Sequence, residues 1–309
     1  MSQTIIQAVL NEDVRTDAVP GVPILPHQVR QEMAGALGAG ASVIHFHGRT
    51  PSGGQAPDDT AYYVSALQGL TDLNSLNWYP PQGHGVNGRS RWRFLPDVQR
   101  VVGMNLISID PHLFDMMDVD PGTGAIKPSW MAKLESSESA GEPESPLAQW
   151  LWFCAEARRL ELKPLFGVFE PGTLRKIVTW WRNGLVDGPV VLNLFLTERF
   201  HFGLDPIAES LDRLRAMIPA DMPYEWFCCP IGVAADTERR LQQHAVRTGG
   251  HLRVGLGSPP IEGFAPEASN ASVVRAAVEL VRSQGGQVAS ADDARRILGV
   301  ARSLDGAAR

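Results

Sequence analysis

The 309-residue chain lacks the marks of several common protein classes. Its only three cysteines, Cys154, Cys228 and Cys229, cannot form an even disulfide framework, so we expect a reducing compartment. A formal charge of −6 provides no basic excess for nucleic acid or anionic membrane. No apolar stretch approaches the roughly 20 residues that span a bilayer, and the first residues do not resemble a secretory signal. These absences predict a cytoplasmic protein with a small-molecule partner.

A dinucleotide-binding fingerprint is also missing, because no G-x-G-x-x-G follows an early strand. This absence argues against the rival fold, a doubly wound open sheet. What the chain does contain is a regular alternation of apolar strand-like segments with segments of helical periodicity. The predicted strands are residues 5–11, 42–48, 75–80, 101–109, 162–170, 189–196, 223–231 and 251–257.

Each predicted strand is followed by a predicted helix. The helices are residues 26–40, 59–70, 91–99, 146–160, 172–185, 205–218, 236–249 and 270–286, and residues 291–299 form an extra closing helix. Eight β/α units in about 300 residues predict a single (β/α)8 TIM barrel domain over residues 1–309. Residues 111–145 are too long for an ordinary connection and predict a functional βα loop.

The second predicted strand ends in SVIHFHGR, residues 42–49, with two histidines one residue apart. Side chains alternate along a strand, so His45, His47 and Arg49 share one face while Ile44 and Phe46 share the other. If the apolar pair meets the helices, both histidines point into the barrel near its carboxyl end, where barrel active sites lie. H-x-H on a strand is a recurring metal half-site, but two histidines hydrogen-bonded in a polar core fit the same pattern.

Other polar residues fall near the same rim. Arg253 alternates with Leu252 and Val254, so we expect it to face inward, where it needs either a protein or a substrate carboxylate as partner. The remaining polar candidates at strand ends are Asn11, Glu12, Ser108, Asp110, Glu170 and Asn193.

Several stretches together resemble a known family. Glu12, followed by residues 20–49, PGVPILPHQVRQEMAGALGAGASVIHFHGR, is similar to the N-terminal signature of the β-keto acid cleavage enzymes, the group that includes 3-keto-5-aminohexanoate cleavage enzyme. Residues 167–185, GVFEPGTLRKIVTWWRNGL, resemble the same family, as do GPVVLNLFL (188–196) and GGHLRVGLG (249–257). The resemblance covers nearly the whole chain.

The resemblance implies a (β/α)8 barrel that holds zinc and exchanges the acetyl unit of acetyl-CoA with a β-keto acid, giving acetoacetate and a new acyl-CoA. It makes His45 and His47 zinc ligands and places Arg253 and Ser108 at the reacting centre. Glu12 is then the residue that recognises the far end of the substrate. We add Asn193 and Arg49 as substrate-binding candidates, and we expect a homo-oligomer.

The chain departs from the family pattern at the eighth strand. The family reads R-V-G-L-E-D there, with a glutamate that completes the zinc site and an aspartate that pairs with the arginine. Residues 253–258 of this chain read RVGLGS, so both carboxylates are absent. Glu262 is the nearest replacement for the third ligand, with Glu170 and Asp110 behind it. The loss leaves a second interpretation open, a divergent barrel that binds a small carboxylate through Arg253 without the family reaction.

Overall fold

The computed structural model describes residues 3–70, 76–83, 88–111, 146–199 and 203–300. Apart from Pro111, the predicted loop at 111–145 lies outside these residues. The strands in chain order are β1 Gln3–Thr4, β2 Ile6–Val9, β3 Val43–His45, β4 Trp78–Tyr79, β5 Leu106–Ile109, β6 Lys163–Val168, β7 Val190–Thr197, β8 Tyr224–Ile231, β9 His251–Val254 and β10 Gln287–Val288.

The helices follow the strands as the periodicity predicts. They are α1 Pro26–Ala39, α2 Thr60–Leu67, α3 Gly88–Trp92, α4 Leu95–Val102, α5 Pro146–Arg159, α6 Pro171–Arg182, α7 Ala208–Ala216, α8 Ala235–Arg247, α9 Asn270–Ser283 and α10 Ala291–Leu298. Local chemistry sets several of their ends. In α1, proline occupies the first position, the Gln28 side chain accepts from the Leu25 N–H, and the helix ends at Gly40 with a φ of 115°.

Eight strands form one parallel sheet in the order β4-β3-β2-β9-β8-β7-β6-β5. The two end strands meet through a side chain, because the Asn105 Oδ1 accepts from the Trp78 N–H at 3.3 Å and its Nδ2 donates to the Leu76 carbonyl at 3.4 Å. The sheet is thus a nearly closed barrel with helices between its strands. This arrangement confirms the predicted (β/α)8 fold.

Strand alternation divides the apolar residues between two clusters. Ile44 and Phe46 belong to the larger cluster, which packs the outside of the barrel against the helices. The smaller cluster fills the barrel interior, and it includes Val43, Leu106 and Val191.

The helix α10 closes the amino end of the barrel. Its Ala294 and Leu298 are fully buried and belong to the interior cluster. The Arg295 Nε donates to the Asn77 Oδ1 at 2.9 Å, and the Asn77 Nδ2 donates to the Ala291 carbonyl at 2.9 Å. The extra helix predicted at 291–299 is therefore present, and it covers the end opposite the site described below.

In the part of the chain that the structure describes, no helix combines the length and the apolar character needed to cross a membrane.

Candidate metal centre at the barrel mouth

The two histidines of SVIHFHGR meet at the carboxyl end of the barrel. β3 ends at His45, and the chain then leaves the ladder, with the His47 N–H donating to the Asn11 Oδ1 at 2.8 Å. The turn brings the two Nε2 atoms to 3.2 Å from one another. The alternation of side chains along β3 therefore turns His45 inward, while the hydrogen bond that Asn11 accepts sets the position of His47.

Hydrogen bonds to the opposite ring nitrogens fix how both imidazoles are protonated. The His45 Nδ1 lies 3.1 Å from the Tyr79 carbonyl, and the His47 Nδ1 lies 2.9 Å from the Gln55 Oε1. The Gln55 amide is oriented in turn, because its Nε2 donates to the Glu12 carbonyl at 2.8 Å. Both Nδ1 atoms therefore carry the proton, and both Nε2 lone pairs face the same point.

Burial keeps these rings neutral. It lowers the pKa of His45 well below the usual value, with a further contribution from His47, and it lowers the pKa of His47 to about 4. Two neutral nitrogens that present lone pairs to each other at 3.2 Å repel unless a cation lies between them. Neutral imidazole is also the form that ligates metal ions.

Glu12 offers a candidate for the third ligand atom. Its Oε1 lies 3.6 Å from the His45 Nε2, and the ligand atoms of Glu12, His45 and His47 all lie within 4.8 Å of one another. Two histidines with one glutamate form a donor set of catalytic zinc enzymes that leaves a fourth position for water or substrate. The residues present therefore fit a metal ion.

The backbone at Glu12 is strained in a way that serves this position. Its φ is 37°, a left-handed conformation that is uncommon for residues other than glycine. Two side chains hold the carbonyl of the same residue, since the Arg49 Nη1 donates to it at 2.6 Å and the Gln55 Nε2 donates at 2.8 Å. The turn after β2 is thus shaped so that the carboxylate enters the barrel mouth.

Arg253 faces inward on β9, as its alternation predicts, and its Nη2 forms an ion pair with the Glu12 Oε1. The guanidinium is 5.4 Å from the centre of the Phe195 ring. Its side chain is only 3% exposed, yet its Nε and Nη1 have no hydrogen-bond partner among the described residues. Burial lowers the pKa of Arg253 to about 9. Two donor atoms are therefore ready for an anionic ligand.

The end of β9 explains why no carboxylate is found there. A Cβ on Gly257 would lie 2.8 Å from the Val9 Cγ1 and 3.0 Å from the backbone of Asn11, closer than side chains normally approach. Ser258 is buried, and its hydroxyl donates to the Pro230 carbonyl at 3.1 Å. The turn that carries Glu12 thus occupies the space beside position 257.

Glu262 does not join the histidines, contrary to its selection as the third ligand. It is exposed, and its Oε2 accepts from the Ala235 N–H at 3.0 Å at the start of α8. Among the described residues, the carboxylate grouped with the histidines is that of Glu12. Glu170 is also used elsewhere, because it accepts from the Thr173 hydroxyl at 2.9 Å within the first turn of α6.

Arg49 also differs from its expected role. β3 has ended before this residue, so strand parity no longer sets its direction. Its guanidinium donates to the carbonyls of Glu12, Val14 and Gly53. The side chain therefore builds the loop around Glu12 instead of presenting its donors to a substrate.

The remaining predicted residues line the barrel interior. Ser108 on β5 and Asn193 on β7 are both buried, and the Asn193 Oδ1 has no partner within the described part of the chain. Sequence reasoning missed Tyr79, which stacks on His45 with ring centres 4.3 Å apart and accepts from the Gln7 Nε2. Burial raises the pKa of Tyr79 well above the usual value. A signal was present, because Gln7 and Tyr79 both stand at inward positions of predicted strands.

Asp110 follows β5 at the same end of the barrel. The Gln82 Nε2 lies 3.4 Å from its Oδ2, and a Cβ on Gly167 would lie 2.1 Å from its Oδ1. Only glycine at position 167 therefore leaves room for this carboxyl group. Burial raises the pKa of Asp110 to about 6, against an opposing effect of Arg91.

The fold and this site together define a parallel (β/α)8 barrel with a candidate metal centre and a buried arginine at the carboxyl ends of its strands. The family model described as beta-keto acid cleavage enzyme matches residues 3–300. The chain belongs to this family.

Two relatives carry the name 3-keto-5-aminohexanoate cleavage enzyme. The one from Acetoanaerobium sticklandii is 23% identical over 301 residues, covering 96% of this chain and 98% of the relative, and the one from Fusobacterium nucleatum is 22% identical over 295 residues, covering 95% and 96%. The 3-dehydrocarnitine:acetyl-CoA trimethylamine transferase of Rhizobium meliloti is 23% identical over 281 residues, covering 90% and 89%.

Solved structures of ObcA share the fold. The apo structure of ObcA superposes with a TM-score of 0.60 at 15% identity, and the match covers 91% of this chain and 66% of that chain. A ternary complex of ObcA with a C4-CoA adduct and oxalate gives a TM-score of 0.58 at 16% identity, covering 91% and 68%.

Proposed function

We propose that this protein transfers the acyl part of a β-keto acid to CoA, taking acetyl-CoA as co-substrate and releasing acetoacetate and a new acyl-CoA. The observation that carries the proposal is the convergence of Glu12, His45 and His47 with Arg253 at the mouth of a barrel of this family. The acetyl-CoA-dependent relative and the CoA adduct bound to ObcA support the same class of substrates.

Glu12, His45 and His47 would hold a zinc ion. When bound there, zinc supplies Lewis-acid polarisation of a carbonyl oxygen, which lowers the cost of forming an enolate. The contribution of the chain is to hold the ligands in place before the reaction. The Tyr79 carbonyl and the Gln55 amide keep the imidazoles neutral and correctly turned, and Gln55 links the loop of Glu12 to His47.

Arg253 would bind the carboxylate of the β-keto acid. Its Nε and Nη1 are the donors left over from its pairing with Glu12; they lie on different edges of the guanidinium, and each can donate a charge-assisted hydrogen bond to an anionic oxygen. The buried site strengthens this interaction, because few water molecules compete for the donors. Ser108 and Asn193 project from β5 and β7 into the same interior, where they would contact the uncharged part of the substrate.

Glu12 then has two tasks that the family pattern gives to two residues of the eighth strand. It completes the metal ligand set, and it neutralises Arg253. This assignment replaces the expected contact of Glu12 with the far end of the substrate. It also removes the main argument for a non-catalytic carboxylate binder, since a third ligand and a partner for the arginine are both available.

Metal content and turnover measured on the same protein test this proposal. Purified protein is loaded with zinc, desalted and assayed for bound zinc, and acetoacetate release is then followed with a panel of β-keto acids and acetyl-CoA. We expect one zinc per chain and release with at least one keto acid. Glu12→Gln should lose both, whereas the matched control Glu262→Gln should keep both, because the Glu262 carboxylate accepts from the Ala235 N–H and is not grouped with the histidines.

Zinc retention in Glu12→Gln equal to that of the wild type would remove Glu12 from the ligand set. Wild-type protein that holds zinc but binds the keto acids without releasing acetoacetate would favour the alternative, a barrel that only binds carboxylates through Arg253.

A further inference from the structure

Asp110 shares the barrel interior with Arg253 but belongs to neither the metal group nor the arginine pair. Gly167 lies next to both Asp110 and Phe195. A Cβ at this glycine would lie 2.1 Å from the Asp110 Oδ1 and 3.4 Å from the Cε2 of the Phe195 ring. The Arg253 guanidinium lies 5.4 Å from the centre of the same Phe195 ring. The Asp110 carboxyl group and the Arg253 guanidinium therefore both lie near the Phe195 ring at the carboxyl end of the barrel.

Within the described part of the chain, the other titratable side chains at the barrel mouth considered for this role are already committed or poorly suited to exchange a proton near neutral pH. His45, His47 and Glu12 form the candidate metal group, and Glu12 also pairs with Arg253. Burial raises the pKa of Tyr79 and of Cys229, so neither releases its proton readily.

Asp110 differs from these groups in both contacts and environment. Part of its surface remains accessible, and its neighbours are the Gln82 amide at 3.4 Å and the charge of Arg91 on α3. Gln82 also accepts from the Arg91 Nη1 at 3.3 Å, which fixes the direction of its amide. The carboxyl group is therefore oriented by a neutral donor, which leaves it free to hold or release a proton.

We propose that Asp110 is the catalytic base that removes a proton from C2 of the β-keto acid and returns it to C2 of acetoacetate. The inference rests on the proposed function.

The proton balance requires only one such group. The C2–H bond of the keto acid breaks, its proton moves to the Asp110 carboxylate, and the electron pair becomes the enolate. C2 then attacks the thioester carbonyl of acetyl-CoA, whose C–S bond breaks and releases the CoA thiolate. The thiolate attacks the C3 carbonyl of the former keto acid, and the C2–C3 bond breaks as the new acyl-CoA forms. The electron pair left on C2 of the new acetoacetate enolate takes the proton back from Asp110, so no net proton is consumed.

Deuterium exchange separates this step from acyl transfer. Zinc-loaded protein is incubated with acetoacetate in D2O without any CoA ester, and deuterium at C2 is followed by NMR above the rate in buffer alone. We expect exchange by the wild type and a loss of at least ~100-fold in Asp110→Asn, as is typical for removal of a general base. The control Asp97→Asn, an exposed residue on α4, should exchange at the wild-type rate.

Zinc content and thermal unfolding of each variant show that the fold and the metal group are intact. If Asp110→Asn does not fold, deuterium exchange is measured with the smaller Asp110→Ser variant instead. Exchange in the folded variant within threefold of the wild type would overturn the role of Asp110, whatever the transfer assay gives. No exchange by the wild type above buffer would also overturn it. Exchange that depends on Asp110 without any acetoacetate release from the keto acid panel would support Asp110 and contradict only the transfer reaction.

Discussion

The two ends of the barrel differ in whether their buried histidine and arginine side chains have hydrogen-bond partners. At the amino end, His251 is fully engaged, because its Nδ1 accepts from the Ile5 N–H at 3.1 Å and its Nε2 lies 3.2 Å from the Glu225 carboxylate. At the carboxyl end, His45 and His47 point their lone pairs at each other, and two donors of Arg253 have no partner within the described ranges. The amino end is closed by its own helix, whereas at the mouth polar atoms of the described residues are left without partners.

The strongest way to test this contrast is to remove a histidine from each end. His45→Ala should abolish zinc retention and lower acetoacetate release by at least ~10²–10³-fold, the usual loss when a group that stabilises developing charge is removed. His251→Ala should keep one zinc per chain and instead lower the free energy of unfolding by about 1–3 kcal/mol, because it leaves a buried N–H without a partner. Zinc titration and urea denaturation measure the two effects. Loss of zinc in His251→Ala would contradict the separation of roles.

Leu298 tests the amino end alone. It is fully buried in the interior cluster, so Leu298→Ala should lower the free energy of unfolding by about 2–5 kcal/mol through a cavity under the barrel. The zinc stoichiometry of the folded variant should stay unchanged. A variant as stable as the wild type would show that α10 does not support the barrel.

At the mouth, substitution of Asp110 should raise the free energy of unfolding, whereas substitution of Leu298 lowers it. The pKa of Asp110 rises to about 6 in the folded protein, so the folded state binds the proton more tightly than the unfolded chain, and wild-type stability falls as the pH rises from about 4 to 6. Arg91, Tyr79 and Cys229 are the titratable neighbours, and among them Arg91 opposes the shift.

Asp110→Asn removes this cost. Above pH 6 the variant should therefore be more stable than the wild type by up to about 3 kcal/mol, and the difference should vanish below pH 4. Denaturation of both proteins across this range measures the difference, and an advantage that does not vary with pH would point to a cause other than the carboxyl group.

The smallest expected effect concerns the residue that orients His47. Gln55→Ala removes the acceptor for the His47 Nδ1 and a donor to the Glu12 carbonyl. We expect zinc affinity to fall about 10-fold, at the low end of the range for groups that hold metal ligands. Competition with a chelator measures this change. As a control, Gln284→Ala at the surface of the barrel should leave the affinity unaltered.

The regular features of this molecule were predictable from sequence. Eight repeats of strand and helix led to the barrel, and alternation along the strands gave the inward direction of His45 and Arg253. Prediction failed where the chain leaves the sheet. Arg49 lies beyond the end of β3, so the alternation of side chains along the strand does not set its direction. Its guanidinium donates to loop carbonyls.

The third ligand was misplaced for a related reason. Glu262 is close in sequence to the missing eighth-strand carboxylates, but sequence distance does not give the direction of a loop. Glu12 reaches the histidines because its own backbone adopts a left-handed φ of 37° and three donors or acceptors shape the turn around it. Such a turn depends on contacts between segments that are distant in the chain, and local pattern cannot reveal them.

The tight contact at Gly257 has a consequence for how this site can change. Because a Cβ there would meet Val9 and the backbone of Asn11, restoring the family's glutamate by one substitution would collide with the turn that delivers Glu12. The turn itself takes up the space beside position 257, so a side chain there requires residues 11–12 to move. Gly257→Glu made alone should therefore lower stability, and an engineer who wants a glutamate at this position has to redesign the turn at residues 11–12 with it.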